Sequence, residues 1–418
     1  RFSNIAPFRF SRAIVDGRYR WEELWGRDST GFWCLAGHYS HFGVDRRLLF
    51  TGHSHQAWPD RALCGHRRAW RDAAEHVDKK WEHAFERAER VRAGWRALLD
   101  DTDGLYTLGA NTHELLVRLL SALPLGERPK LVTTDGEFYS LRRQSYRLEE
   151  EGIEVVRVPA RPAESVGERL AAAACERTAA VLVSTVFYRD AHVAGGIGAA
   201  AEACRRVGAP LVLDTYHHLN VLPLSLRESD LEDAFVVGGG YKYCQLGEGN
   251  CFLRFPPGCE LRPVITGWFA AFDDLTGGGG ERRVGYVDGD DRFAGATYDP
   301  TSHYRAAEVF DFFVDHGLTP ELLRAVSLHQ MDLLRRRFDA LDLDPGVVRR
   351  ERDVPLERLG GFLALQSPVA GRLHEKLLGA GVLTDFRGET LRFGPAPYTT
   401  DDQIAEAMAH LGDAVRGT

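Results

Sequence analysis

Residues 130–160 read KLVTTDGEFYSLRRQSYRLEEEGIEVVRVPA, and this stretch decides the fold. Lys130–Asp135 is a short apolar run of the kind that forms a strand buried on both faces. The segment after it has helical periodicity and stops at Gly152, a residue suited to ending a helix. EVVRVPA then opens a second strand. One strand, one helix and one strand in 31 residues predict a crossover unit of a parallel sheet.

The same alternation continues outward. SVGERLAAAACE reads as a helix, AAVLVSTV as a strand, GIGAAAEACRRVG as a helix and PLVLDTYHH as a strand, with two further strands flanking Lys242. The fold class is therefore α/β: a mostly parallel sheet covered by helices on both faces, with a smaller α+β C-terminal domain. In such sheets ligands bind beyond the carboxyl ends of the strands. Those ends carry Asp135 to Phe138, Ser184, Asp214 to His217 and Lys242. Residues 60–99 read as a long amphipathic helix anchored by Trp70, Trp81, Phe85 and Trp95, and Thr276–Arg283 as a flexible loop. Helices dominate from Tyr304, followed by a small sheet from FLALQSP and GVLTDFRGETLRFGPAPY. The expected division is an N-terminal segment 1–60 packing with the small domain, a large cofactor-binding domain 61–303 and a small domain 304–418.

Composition narrows the function. Of 418 residues 44% are hydrophobic and 27% charged, as in ordinary globular proteins, and the net charge of −8 argues against nucleic acid or an anionic membrane as partner. No apolar run approaches the ~20 residues of a membrane helix. The seven cysteines (34, 64, 175, 204, 244, 251 and 259) are scattered and never spaced C-x-x-C. They suggest free thiols in a cytoplasmic protein, with neither a disulfide framework nor a metal site. The first residue is Arg1, so a preceding N-terminal piece is conceivable.

Chemistry concentrates in GGGYKY (238–243) and LVLDTYHH (211–218). Asp214 closes a buried strand, where an unpaired carboxylate is costly. Lys242 follows 28 positions later on a glycine corner that would let backbone approach a ligand closely. A structural ion pair is the plain alternative, but it leaves the glycines and the other polar strand ends unexplained. The chemical reading is a lysine that forms a Schiff base with pyridoxal 5'-phosphate while Asp214 keeps the pyridine nitrogen protonated. GANTHELLVRLL (109–120) supplies a phosphate binder, with Asn111 and Thr112 where a turn becomes a helix. Taken alone, that pair would be ordinary helix capping.

This order of elements, with GEG (247–249) and TGWF (266–269) after the lysine, resembles the fold-type-I, aminotransferase class V group of pyridoxal-phosphate enzymes. Within that group it is most similar to kynureninase, from TGHSHQAWPD (51–60) to LRFGPAPY (391–398). The resemblance implies Lys242 as Schiff-base lysine, Asp214 as nitrogen partner and Phe138 as ring stacker. It implies Thr112, Tyr241 and Trp268 on the phosphate, His217 beside the cofactor and Arg392 on the substrate α-carboxylate. Thr297 and Asp299 would contact cofactor or substrate, often across a dimer interface, so a homodimer with a small amino-acid substrate is expected.

The activity so implied is hydrolytic cleavage of a Cβ–Cγ bond that releases alanine, with Lys242 as general base and Tyr241 or a nearby histidine assisting proton movements. Departures are equally specific. Leu141 stands where kynureninases carry a cofactor-serving aspartate, Asp299 replaces a substrate-contacting asparagine, and GWFAAF lacks the family's histidine. Transamination, β-elimination or decarboxylation of another amino acid therefore stands as the alternative, and a cofactor-binding protein without turnover as a third. Cysteine desulfuration would need a nucleophilic cysteine in the C-terminal part, and none follows Cys259. His53 and His55 read as active-site wall, His53 on the substrate side, or as ordinary loop histidines, rather than as a metal pair. His113 and His192 read as pocket lining.

Overall fold

The computed structural model describes residues 14–15, 18–19, 25–26, 35–276 and 284–417. Cys34 and the 276–283 loop beyond its first residue lie outside them. Seven strands form the main sheet: β1 (Leu105–Gly109), β2 (Lys130–Thr134), β3 (Glu154–Val158), β4 (Thr178–Ser184), β5 (Leu211–Asp214), β6 (Phe235–Gly239) and β7 (Cys251–Phe255). Their spatial order is β1-β7-β6-β5-β4-β2-β3. The pairs from β6 through β5, β4 and β2 to β3 are parallel, while β7 runs antiparallel to both β6 and β1. Every residue of β4 is buried, as expected of a central strand covered on both sides.

Helices α1 (Arg61–His76), α2 (Lys80–Leu99), α3 (Thr112–Ala122), α4 (Tyr139–Glu150), α5 (Val166–Ala173), α6 (Ile197–Val207) and α7 (Thr301–His316) accompany this sheet. Leu115, Leu119 and Leu141 pack with Leu182 and Val212 in one core cluster. Trp95, Leu170 and Phe310 pack with Val181 and Val183 in another. Adjacent strand residues thus point into opposite layers, the two-sided covering that the apolar runs predict.

The long helix expected over 60–99 is two helices. Val77 adopts φ 47° and breaks the run after His76. Trp95 is fully buried, but Trp70 is 81% exposed, because α1 turns Ala62, Gly65 and Asp72 inward instead. Gly65 lets α1 touch α7 closely: a Cβ there would lie 2.4 Å from the Tyr304 carbonyl oxygen. Phe310 and Phe312 of α7 sit in the larger core, so we propose the limit of the large domain after His316 rather than inside this helix.

The second sheet contains β8 (Arg349–Arg350), β9 (Leu363–Gln366), β10 (Asp385–Arg387) and β11 (Thr390–Phe393), antiparallel in the order β8-β9-β11-β10. Its core includes residues of α8 (Pro320–Ala340), α9 (Ala370–Gly379) and α10 (Asp401–Arg416), together with Leu48 and Phe50. Leu48–Leu49 pairs in parallel with Val382–Leu383, which ties that early segment to this unit. Main-chain bonds also stitch the two sheets' surroundings together. Val193 donates to the Arg358 carbonyl at 2.9 Å, and Gly360 to that of Ala191 at 2.7 Å. Among the described residues no helix is long and apolar enough to cross a membrane.

Candidate active site

β4, β5 and β6 deliver Ser184, Asp214 and Gly239 to one edge of the main sheet, and α3 begins beside the end of β1. Because β7 returns antiparallel to β6, the segment carrying Lys242 stays at this edge. The glycines before it are needed for a reason other than ligand approach. None of residues 238–240 has positive φ, and a Cβ on Gly239 would meet the Tyr216 ring at 2.5 Å. Their absent side chains make room for the protein's own core.

A cavity of about 340 Å³ opens here, lined by Asn111, Thr112, Phe138, Asp214, His217, Tyr241 and Lys242. His113 and Tyr216 complete much of its wall. Lys242 is 5% exposed, and its Nζ lies 2.8 Å from His217 Nε2, 4.8 Å from the Tyr216 ring centre and 5.4 Å from that of Phe138. Burial lowers its pKa to about 7, against the attraction of Asp214. Burial likewise raises the Asp214 carboxyl, opposed by a hydrogen bond accepted from the Tyr216 N–H at 2.9 Å and by Lys242. His217 is held well below its ordinary pKa by burial and by Lys242, so it is neutral. Tyr241 is pushed up to about 12 by burial and keeps its proton.

Asn111 meets both of its readings. It lines the cavity, and its side chain caps α3 by accepting from the Glu114 N–H at 2.9 Å. The helix start at Thr112 and the buried amine of Lys242 line the same space. The set suits a flat molecule with a phosphate and a carbonyl.

Other expected site residues stand apart in this chain. Thr297 and Asp299 line a neighbouring cavity of about 480 Å³, which shares Ala110, Glu248 and Gly249 with the first. The Asp299 carboxylate accepts from the Thr301 N–H and hydroxyl at 2.9 and 2.6 Å. Trp268 is 42% exposed and stacks on Phe269 and Phe272. Arg392 and His53 line neither cavity; both are buried and both bond Asp385. His192 lies at the seam between the sheets, 3.1 Å from Glu351, and His55 stacks on Tyr241. Leu141 is buried among the leucines of α3.

Three residues of this neighbourhood were given no role by the sequence. Tyr216 is an aromatic inside a motif read for its Asp and His. Glu137 is buried between β2 and β4, bonded to the Ser184 and Thr134 hydroxyls at 2.6 Å each, and burial lifts its pKa to about 7. Asp385 belongs to the C-terminal hairpin.

A model of the kynureninase C-terminal domain matches residues 323–411. Kynureninase of Bacillus cereus (strain ATCC 10987 / NRS 248) is 25% identical over 336 residues, 75% of this chain and 74% of that protein. Kynureninase of Bacillus mycoides (strain KBAB4) is 26% identical over 329 residues, 74% of this chain and 72% of that protein. Among solved structures, the cystine C–S lyase C-DES superposes with a TM-score of 0.76 at 17% identity, over 89% of this chain and 98% of its own. A cysteine desulfurase from Thermococcus onnurineus NA1 gives a TM-score of 0.72 at 13% identity, over 90% and 96%. The chain is thus similar to kynureninase at a distance of 25–26% identity, and its fold matches that of fold-type-I pyridoxal-phosphate enzymes.

Proposed function

We propose that the protein is a pyridoxal-phosphate enzyme acting on an amino acid, with kynureninase-like hydrolysis of a Cβ–Cγ bond that releases alanine. The observation that carries this reading is Lys242, a buried amine with its pKa brought to about 7, facing Asp214 and a helix start in one cavity. Those groups fit the cofactor: an amine for its aldehyde, a carboxylate for its ring nitrogen, an aromatic face, and a helix start with the Thr112 hydroxyl for its phosphate. When bound, pyridoxal phosphate supplies an electron sink for bonds around the substrate Cα.

The chain's own residues then have separate tasks. Thr112 and the first N–H groups of α3 hold the phosphate. Asp214 keeps a proton at the ring nitrogen, and Phe138 covers one face of the ring. Lys242, as a neutral amine, takes a proton from Cα and returns it. His217, neutral and 2.8 Å from Nζ, accepts from the amine and sets its direction. Tyr241 retains its proton and donates to negative charge developing on oxygen. Arg392, buried beside Asp385 and outside the lining of both cavities, is proposed to hold the substrate carboxylate. Trp268, Thr297 and Asp299, which stand outside the Lys242 cavity, are proposed to act across a homodimer interface.

The low pKa has a direct consequence. The neutral fraction of Lys242 rises as pH rises through about 7, so the rate of pyridoxal-phosphate uptake by cofactor-free protein should climb between about pH 6 and 8. Stopped-flow absorbance measures it, and a rate flat across that range would contradict the assignment.

The reaction is tested by giving cofactor-loaded protein L-kynurenine and 3-hydroxykynurenine. Alanine and the matching aromatic acid are expected. A loaded protein that releases no alanine would transfer the reading to transamination, β-elimination or decarboxylation. Asp299, engaged by Thr301, favours that second reading at the substrate end, and Leu141, buried beside Thr112 and Asp214, offers no carboxylate to the cofactor.

A further inference from the structure

The geometry points to Asp385 as the positioning residue of the substrate-acid corner: it grips Arg392 along one edge of the guanidinium and leaves a second pair of N–H donors for the ligand's carboxylate. This rests on the reading of Lys242 as the cofactor lysine and of Arg392 as the carboxylate binder. Asp385 and Arg392 are direct cross-strand partners on the β10–β11 hairpin. Arg392 Nε donates to Asp385 Oδ1 at 2.7 Å, and its Nη2 donates to Oδ2 of the same carboxylate. Nη1 donates to the Tyr188 carbonyl in the loop after β4. A guanidinium has five N–H bonds. Three are used, and one remains on Nη1 and one on Nη2.

The rest of the corner holds this plane in place. His53 Nε2 lies 2.8 Å from Asp385 Oδ1, so the acid is itself fixed. Arg392 sits 5.4 Å over the Phe362 ring centre, and the rings of His53 and His217 lie 4.6 and 6.4 Å from that same ring. Phe362 thereby spaces the acid corner from the Lys242–His217 pair. The Arg387 Nη2 approaches Asp385 Oδ2 at 3.4 Å. Burial brings the His53 pKa down to about 4, so two guanidinium groups and one carboxylate leave a single positive charge, which matches one substrate carboxylate. A free arginine would offer the same charge with an unfixed direction, and its flexible stem would have to be ordered by each ligand.

A rival account has Asp385 compete with the substrate for Arg392, and the two predict opposite signs. The probes are L-alanine and ethylamine, which differ by the carboxylate alone, titrated against the spectral shift of bound pyridoxal phosphate. Wild-type protein should bind L-alanine at least about tenfold more tightly than ethylamine. Asp385→Asn and Asp385→Ala should each weaken L-alanine by about tenfold and move ethylamine less than about twofold, a ratio that general loosening of the fold would not change. Asp385→Glu, which keeps a carboxylate, should recover part of the ratio. If Asp385→Ala does not fold, the isosteric Asn variant carries the test. Tighter L-alanine binding in Asp385→Asn, or an unchanged ratio, would overturn the proposal. Wild-type protein that takes up no pyridoxal phosphate would instead overturn the cofactor reading, a separate observation made before any titration.

Discussion

Replacing Lys242 by alanine abolishes the visible absorbance that the protein gains with pyridoxal phosphate. It also lowers turnover by on the order of 10²–10⁴-fold, the share a positioned proton carrier supplies. Among the described residues that line the cavity, Lys242 is the one lysine. His217 cannot substitute, because its neutral ring accepts from Lys242 and burial keeps it from carrying a proton at neutral pH. Folding should survive, since the removed amine is one that burial already drives toward its neutral form. Absorbance, alanine release and a thermal melt are the three measurements. A variant with an unchanged visible spectrum would sink the cofactor assignment.

Gly65→Leu is expected to destabilise the protein by about 3 kcal/mol, the upper end for forcing atoms into a packed interface. A Cβ at Gly65 would lie 2.4 Å from the Tyr304 carbonyl oxygen and 2.7 Å from Arg305 Cα. Both are backbone atoms, so α1 must move off α7. The damage reaches the site, because Arg305 donates to the Leu246 and Glu248 carbonyls and stacks on Trp58 at 4.4 Å. Those carbonyls belong to the turn that follows Lys242. Denaturant unfolding should therefore show lost stability together with weakened cofactor uptake. Gly126→Ala, where a Cβ would meet nothing within 4 Å, is the control expected to be silent. Equal stability of the two variants would refute the packing argument.

The strand and helix alternation from Lys130 to Asp214 was legible because strands buried on both faces must be continuously apolar, and β4 is buried at every residue. Strand β1 was not: LYTLG lies between helices, before the regular alternation that begins at Lys130. Trp70 misled because a tryptophan at helical spacing looks like core, whereas the close approach of α1 to α7 needs small residues and turns the ring outward. At the site, Lys242, Asp214, Phe138 and Thr112 were readable as residue types at strand and helix ends. Asp385 has no motif, yet a signal existed. In DFRGETLR a tight turn at Gly388 and Glu389 puts Asp385 opposite Arg392, so reading the hairpin register would have paired them. The separation of Thr297 and Asp299 from Lys242 depends on tertiary packing that no local pattern encodes.

The main-chain bonds from Val193 and Gly360 bear on how a substrate could be enclosed. The acid corner hangs from the C-terminal sheet and the lysine from the main one, and these amides sew the two together beside Tyr188. A wide clamshell swing would have to tear that seam. On the proposed reading, closure would be left to side chains and loops at the rim, and the spacing of Lys242 from Arg392 would limit the length of substrate.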